Sequence, residues 1–242
     1  MPTIPSFTFY NNFESYSREY QNAKPFPHLI IDNFLPEDLA HALYAESCNL
    51  PNVKKFDRAG SYMEECTDLP QLPVASKYVS IMHSYEGMSW ISRTLGMEGL
   101  IADPYIVGGG YANSYNGNIL NPHIDYNWND RLKLHRVVTA ILYLTPEWHD
   151  SYGGELNFYN KDRSEIVTTI PNKFNRMVFF AYDKHGWHGT SRISCPDNVH
   201  RCNFRLYFFL SNSTHLSDDP PHRSQYYIDE KSGSAFDNRI ER

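Results

Sequence analysis

The chain has 242 residues and a formal net charge of −6 with no run of five or more basic residues, so general nucleic-acid binding is not favoured. No segment approaches the roughly 20 consecutive apolar residues that a membrane span needs. Cys48, Cys66, Cys195 and Cys202 show no Cys-x-x-Cys spacing, which argues against a structural zinc site. Met1-Pro2-Thr3-Ile4-Pro5-Ser6 lacks the charged and apolar regions of a secretory signal, so a reducing cytoplasm is the expected setting. There the Asn212-Ser213-Thr214 sequon carries no meaning. Aromatic residues make up 15% of the chain, which suits either β-core packing or an aromatic-lined substrate groove. The length fits one domain with extensions, and oligomeric state is left open.

In chain order, residues 1–24 read as a polar and aromatic arm. Pro27 to Leu35 reads as a strand. Pro36-Glu37-Asp38 opens a helix that runs to about Cys48, with Leu39, Ala42, Leu43 and Ala45 on a helical period. Residues 50–73 read as a charged, proline-bearing loop near the site. Residues 75–95 read as a second helix, with Tyr78, Ile81, Met82 and Tyr85 at helical spacing, and Gly87 inside it counts against an unbroken run. Both helices are expected on the outside of a sheet.

From about 101 to 210 strands and turns dominate. Arg136 to Leu144 is a β-branched, apolar strand, and Gly153-Gly154 is a turn opening another at Glu155 to Tyr159. Arg201 to Leu210 alternates polar and apolar residues before turning fully apolar, as a strand with one face on a cavity would. The fold expected is mainly β with flanking helices: a double-stranded β-helix, a jelly roll of cupin-like type. The division is 1–100 for the arm, strand and supporting helices, 101–211 for the catalytic core, and 212–242 for a polar tail that wraps the domain or stays partly disordered.

Within the core, Pro122-His123-Ile124-Asp125 is answered by Trp187-His188-Gly189. Residues i and i+2 of an extended strand share a face, so His123 and Asp125 can reach one metal ion. With His188 from a neighbouring strand they would make two imidazoles and one carboxylate. That set holds non-haem Fe(II) and leaves open positions. A bare His-x-Asp pattern has little weight, and its context carries the argument. His185, in the loop before His188, is the rival ligand. His149 and His200 read as surface or supporting histidines.

That context resembles the Fe(II)/2-oxoglutarate-dependent oxygenases, specifically the prolyl-4-hydroxylase-like branch. The residues that carry the resemblance are Gly108 to Tyr111, Pro122 to Asn127, Ile141 to Leu144, Gly153 to Leu156, Phe174 to Phe180, Trp187 to Gly189, and Arg201 with its strand, all in the family's order. It covers about half the chain well. The first hundred residues match loosely and the tail not at all.

The resemblance implies that His123, Asp125 and His188 ligate iron and that Arg201 pairs with the distal carboxylate of 2-oxoglutarate. A guanidinium fork matches a carboxylate bidentately and stays charged when buried. Arg205 and Lys133 are the rivals for that role. Tyr143 and, on the approach to the ligand strand, Tyr115 would also serve the cosubstrate. Tyr126, Asn127 and Trp128, together with Trp187, are placed at the substrate opening.

The cofactor set implied is Fe(II), 2-oxoglutarate and O2, with ascorbate as a helpful addition. The reaction is hydroxylation of an unactivated C–H bond with release of succinate and CO2. Asp125 is present, whereas related halogenases lack that carboxylate. The substrate would be a peptide or small molecule, with proline as the first specific guess. Two alternatives stay open. One is a cupin-like metal-binding jelly roll, an isomerase or ring-cleaving dioxygenase that does not use 2-oxoglutarate, and the other is a non-catalytic binding domain.

Overall fold

The computed structural model describes residues 13–58, 61–211 and 219–227. Helix α1 (Phe13–Asn22) leads to strand β1 (His28–Ile31), α2 (Glu37–Ser47), and the hairpin β2 (Lys54–Arg58) and β3 (Ser61–Cys66). Helices α3 (Pro73–Met82) and α4 (Tyr85–Leu95) follow. The remaining strands are β4 (Ile101–Ala102), β5 (Gly110–Ser114), β6 (Leu120–Ile124), β7 (Trp128–Asn129), β8 (Leu134–Tyr143), β9 (Leu156–Tyr159), β10 (Ile166–Ile170), β11 (Arg176–Ala181), β12 (His188–Thr190), β13 (Arg201–Leu210) and β14 (Gln225–Tyr226).

These strands form two antiparallel sheets. The larger runs β1-β11-β8-β13-β5-β3-β2, with β4 against β13 and β7 against β8, and the smaller runs β10-β9-β12-β6-β14. Alternation decides which face each side chain takes. Val138, Ala140 and Leu142 of β8, Met177 and Phe179 of β11, and Phe204, Leu206 and Phe208 of β13 pack into one core with Leu43 of α2, Tyr78 of α3 and Trp90 and Ile91 of α4. The intervening Tyr143, Val178 and Phe180 join Leu156, Phe158 and Ile170 of the smaller sheet in a second cluster. The helices therefore cover one face of the large sheet, and the small sheet covers part of the other. This is the jelly-roll arrangement expected from the sequence.

Several elements differ from the sequence reading. Residues 13–22 of the expected arm are helical, and α1 packs on α4. Residues 1–12 lie outside the described residues. The 27–35 strand is shorter, at His28–Ile31. The expected loop at 50–73 contains the β2–β3 hairpin, which extends the large sheet because β3 pairs with β5. The expected 75–95 helix breaks at His83-Ser84 and not at Gly87. Ser84 caps α4 by accepting the Gly87 N–H at 3.0 Å. Gly87 itself is helical. A Cβ there would collide with the carbonyl oxygens of Ile81 and Met82, so the glycine lets α4 start hard against the end of α3. In the tail, residues 219–227 lie on the domain and supply β14.

Candidate functional site

The smaller sheet sets the histidines side by side. Strands β6 and β12 pair with His188 opposite His123, and the two imidazole centroids are 4.3 Å apart. Gly189 permits this approach, since a Cβ on it would lie 2.6 Å from the Leu120 carbonyl oxygen. Asp125 is one residue past β6. Its carboxylate oxygens lie 3.6 Å from His123 Nε2 and 3.5 Å from His188 Nε2. One ligand atom from each of the three residues falls within 4.8 Å of the others.

The chemistry of this donor set fits a divalent metal ion. His123 Nδ1 is 3.0 Å from the Asn121 carbonyl oxygen and His188 Nδ1 is 2.9 Å from that of Gly186. A carbonyl can only accept, so each Nδ1 carries the proton and each Nε2 lone pair is left for a metal. Burial, with His188 adjoining, lowers the pKa of His123 and favours the neutral, ligating form. Burial alone would raise the Asp125 carboxyl. The Arg136 guanidinium outweighs that and holds the carboxyl well below the usual carboxylate range.

Arg136 is a site residue that the sequence reading used only to mark the start of a strand. It is buried, and its Nη2 donates to Asp125 Oδ2 and to Thr139 Oγ1, both at 2.6 Å. Thr139 donates to the same carboxylate oxygen at 3.1 Å. The guanidinium also lies 3.6 Å from the Tyr207 ring centroid and 4.5 Å from that of Tyr126. Asp125 is thus oriented by two donors from β8.

A cavity between the sheets joins these groups. It is lined by His123, Asp125 and His188, by Tyr143 and Thr139 of β8, and by Arg201, Asn203 and Arg205 of β13, with apolar walls from Ile141, Leu156 and Phe180. Arg205 is paired with Glu65 and Arg136 with Asp125. Among the described residues no carboxylate lies within ion-pair distance of Arg201. It is 4% exposed, its Nη1 donates to the Gly154 carbonyl, and its Nε has no partner. A buried guanidinium left in this state fits an anionic ligand. Burial lowers its pKa, but arginine starts so far above neutrality that it stays charged.

The other sequence candidates are placed as follows. Tyr143 lines the cavity, and burial raises the pKa of its hydroxyl. Tyr115 is outside the lining and donates to Glu64 at 2.6 Å. Lys133 is exposed and paired with Asp130, and His185 sits in an exposed turn. Tyr126 donates to the Val107 carbonyl at 3.1 Å. Trp128 packs edge-on to His135, and its indole N–H donates to Asp130. Asn127 is fully buried and ties down the later segment: it donates to the Pro220 carbonyl at 3.1 Å and accepts the His222 N–H at 2.8 Å. Trp187 faces Arg163 and Tyr227. Tyr226, not singled out in the sequence, stacks on His123 with centroids 5.0 Å apart.

The family model of the 2OG-Fe(II) oxygenase superfamily matches residues 110–209. Among curated proteins, the mouse (Mus musculus) prolyl 3-hydroxylase OGFOD1 is 25% identical over 187 residues, which is 70% of this chain and 30% of that protein. The Xenopus laevis protein of the same name is 30% identical over 119 residues, which is 42% of this chain and 22% of that protein. The chain therefore spans under a third of the length of these relatives. A Trichoplax adhaerens prolyl hydroxylase, solved with a hypoxia-inducible-factor peptide fragment, superposes with a TM-score of 0.61 at 23% identity, covering 86% of this chain and 94% of that one. A Pseudomonas putida prolyl-4-hydroxylase gives 0.60 at 20% identity, covering 81% of this chain and 100% of that one. At these identities the two structures establish the shared fold.

Proposed function

We propose that the chain, which belongs to the 2OG-Fe(II) oxygenase superfamily through residues 110–209, hydroxylates an unactivated C–H bond of an amino-acid side chain, with a peptidyl proline as the first substrate to try. Fe(II), 2-oxoglutarate and O2 are the cofactors that go with this membership. The observation that carries the proposal is the meeting, in one cavity, of three convergent ligand groups and a buried arginine that has no carboxylate partner among the described residues.

Iron with 2-oxoglutarate supplies an oxidant able to insert oxygen into a C–H bond, with succinate and CO2 as by-products. The protein's part follows from its own atoms. His123, Asp125 and His188 hold the metal through Nε2, a carboxylate oxygen and Nε2. Arg136 and Thr139 fix the carboxylate's orientation and offset its charge, which a buried acid requires. Arg201 takes the distal carboxylate of 2-oxoglutarate, with Tyr143 beside it. Ile141, Leu156 and Phe180 keep water from the reacting centre. A carboxylate at position 125 favours hydroxylation over halogenation. A cupin-like metal site or a binding-only domain would leave Arg201 buried to no purpose.

A prolyl substrate is supported by the names of the curated relatives, and a peptide by the ligand of the Trichoplax structure. No helix among the described residues is long and apolar enough to cross a membrane. Four free thiols support the cytoplasmic reading. The test is succinate release from 2-oxoglutarate by the iron-loaded protein against a panel of proline-bearing peptides, matched peptides with alanine for proline, and free amino acids. Stimulation by proline-bearing peptides, with one oxygen atom added at proline, is expected. Equal stimulation by the alanine series, or oxygen found on another residue, would refute the prolyl assignment.

A further inference from the structure

Strand β6 carries His123 and leads straight into Asp125, so two of the three ligand residues depend on where it lies. One edge pairs with β12, which brings His188. The other would be open but for β14, where Gln225 pairs with Ile124 and Tyr226 with His123. The Tyr227 N–H donates to the Pro122 carbonyl at 2.8 Å, and the Tyr126 N–H to Ser224 Oγ at 3.2 Å. The segment is moored at both ends. Upstream, Asn127 holds Pro220 and His222, and Tyr182 bonds Asp219 and, at 2.8 Å, His222 Nε2. Downstream, the Arg163 guanidinium lies 4.3 Å from the Tyr227 ring centroid and 4.6 Å from that of Trp187.

Within this strap the Tyr226 ring lies nearly parallel to the His123 imidazole, at 5.0 Å and 20°. We propose that Tyr226 is a positioning residue for the metal site. Its ring fixes the plane of the His123 imidazole, while the strap closes the exposed edge of the strand that bears His123. The proposal rests on reading His123, Asp125 and His188 as metal ligands. The stack holds the ring plane that the Asn121 carbonyl sets through Nδ1, so Nε2 is presented to the metal without a loss of side-chain freedom on binding.

Co(II) is the probe, bound to the full chain and measured by competition with a chromophoric chelator and by its visible spectrum. Tyr226→Ala is expected to weaken Co(II) binding by about tenfold and to alter the spectrum, in line with other contacts that orient metal-bound histidines. Tyr226→Phe, which keeps the flat ring, is expected to bind as wild type does. Tyr226→Leu keeps bulk without a ring plane and should behave as Ala does. It decides the matter if the Ala variant does not fold, because equal binding by the Phe and Leu variants would overturn the proposal. Wild-type affinity and spectrum in Tyr226→Ala would also overturn it. A wild-type protein that binds no Co(II) removes the ligand assignment and the proposal together, so the two failures are distinguishable.

Discussion

Arg136, Arg201 and Arg205 line one cavity with different electrostatic duties. Arg136 and Arg205 are neutralised by Asp125 and Glu65, whereas Arg201, among the described residues, meets a backbone carbonyl and no carboxylate. Strand periodicity does not separate Arg201 from Arg205, because residues four apart on a strand share a face, and the preference for Arg201 comes from its position in the motif. Their partners separate them. We predict that Arg201→Ala weakens 2-oxoglutarate binding to the Mn(II)-loaded protein by about tenfold to a hundredfold, the worth of one charge-assisted contact. Arg205→Ala is expected to weaken it less. Calorimetric titration checks this, and an equal or larger loss in Arg205→Ala would reverse the assignment. Tyr115 is bonded to Glu64, so of the two tyrosines singled out in the sequence Tyr143 is the one that lines the cavity.

At the level of elements, two glycines do different jobs. Gly87 lets α4 begin against α3, and Gly189 lets β12 close on β6. Gly189→Ala is expected to weaken Co(II) binding because it drives apart the strands that carry the histidines. Gly87→Ala should cost about 1–3 kcal/mol of stability, as overpacking does, and leave Co(II) binding unchanged. Denaturation and metal titration of both variants check the pair, and a metal-binding loss shared equally by both would contradict it. The ligand pair and the polar–apolar alternation of β13 were legible in the sequence because each follows the strand period of two. Arg136 was not, for a reason that lies in β8. Register shifts there, with Phe208 opposite Val138 but Phe209 opposite Arg136, so Val137 is an extra residue. Such a bulge reverses the parity of the strand, and Arg136 reaches the cavity with Thr139 although the two are three residues apart. The β2–β3 hairpin was missed because its edge strand β2 opens on Lys54 and Lys55, and polar side chains are tolerated at a sheet edge.

Across the whole molecule, the layers make the site. The small sheet supplies the proposed ligands His123 and His188 from β6 and β12, with Asp125 just past β6, and the large sheet supplies Arg136, Thr139, Tyr143 and Arg201 from β8 and β13. The jelly roll could be read from the sequence because its strands sit close together in the chain and their turns are marked by Gly and Asn. The strap could not, since a two-residue strand in a polar tail has no periodicity and exists only through its contacts with β6, Asn127 and Tyr182. The central claim is that the two sheets bring a metal-binding triad and a carboxylate-binding arginine to the same cavity. The most direct measurement is an anaerobic titration of the metal-free protein with Fe(II) and then 2-oxoglutarate, following the visible charge-transfer band of the chelated oxo-acid. The account predicts a band in the wild-type protein that is absent in His188→Ala and needs more 2-oxoglutarate in Arg201→Ala. Bound iron with no band on adding 2-oxoglutarate would contradict it.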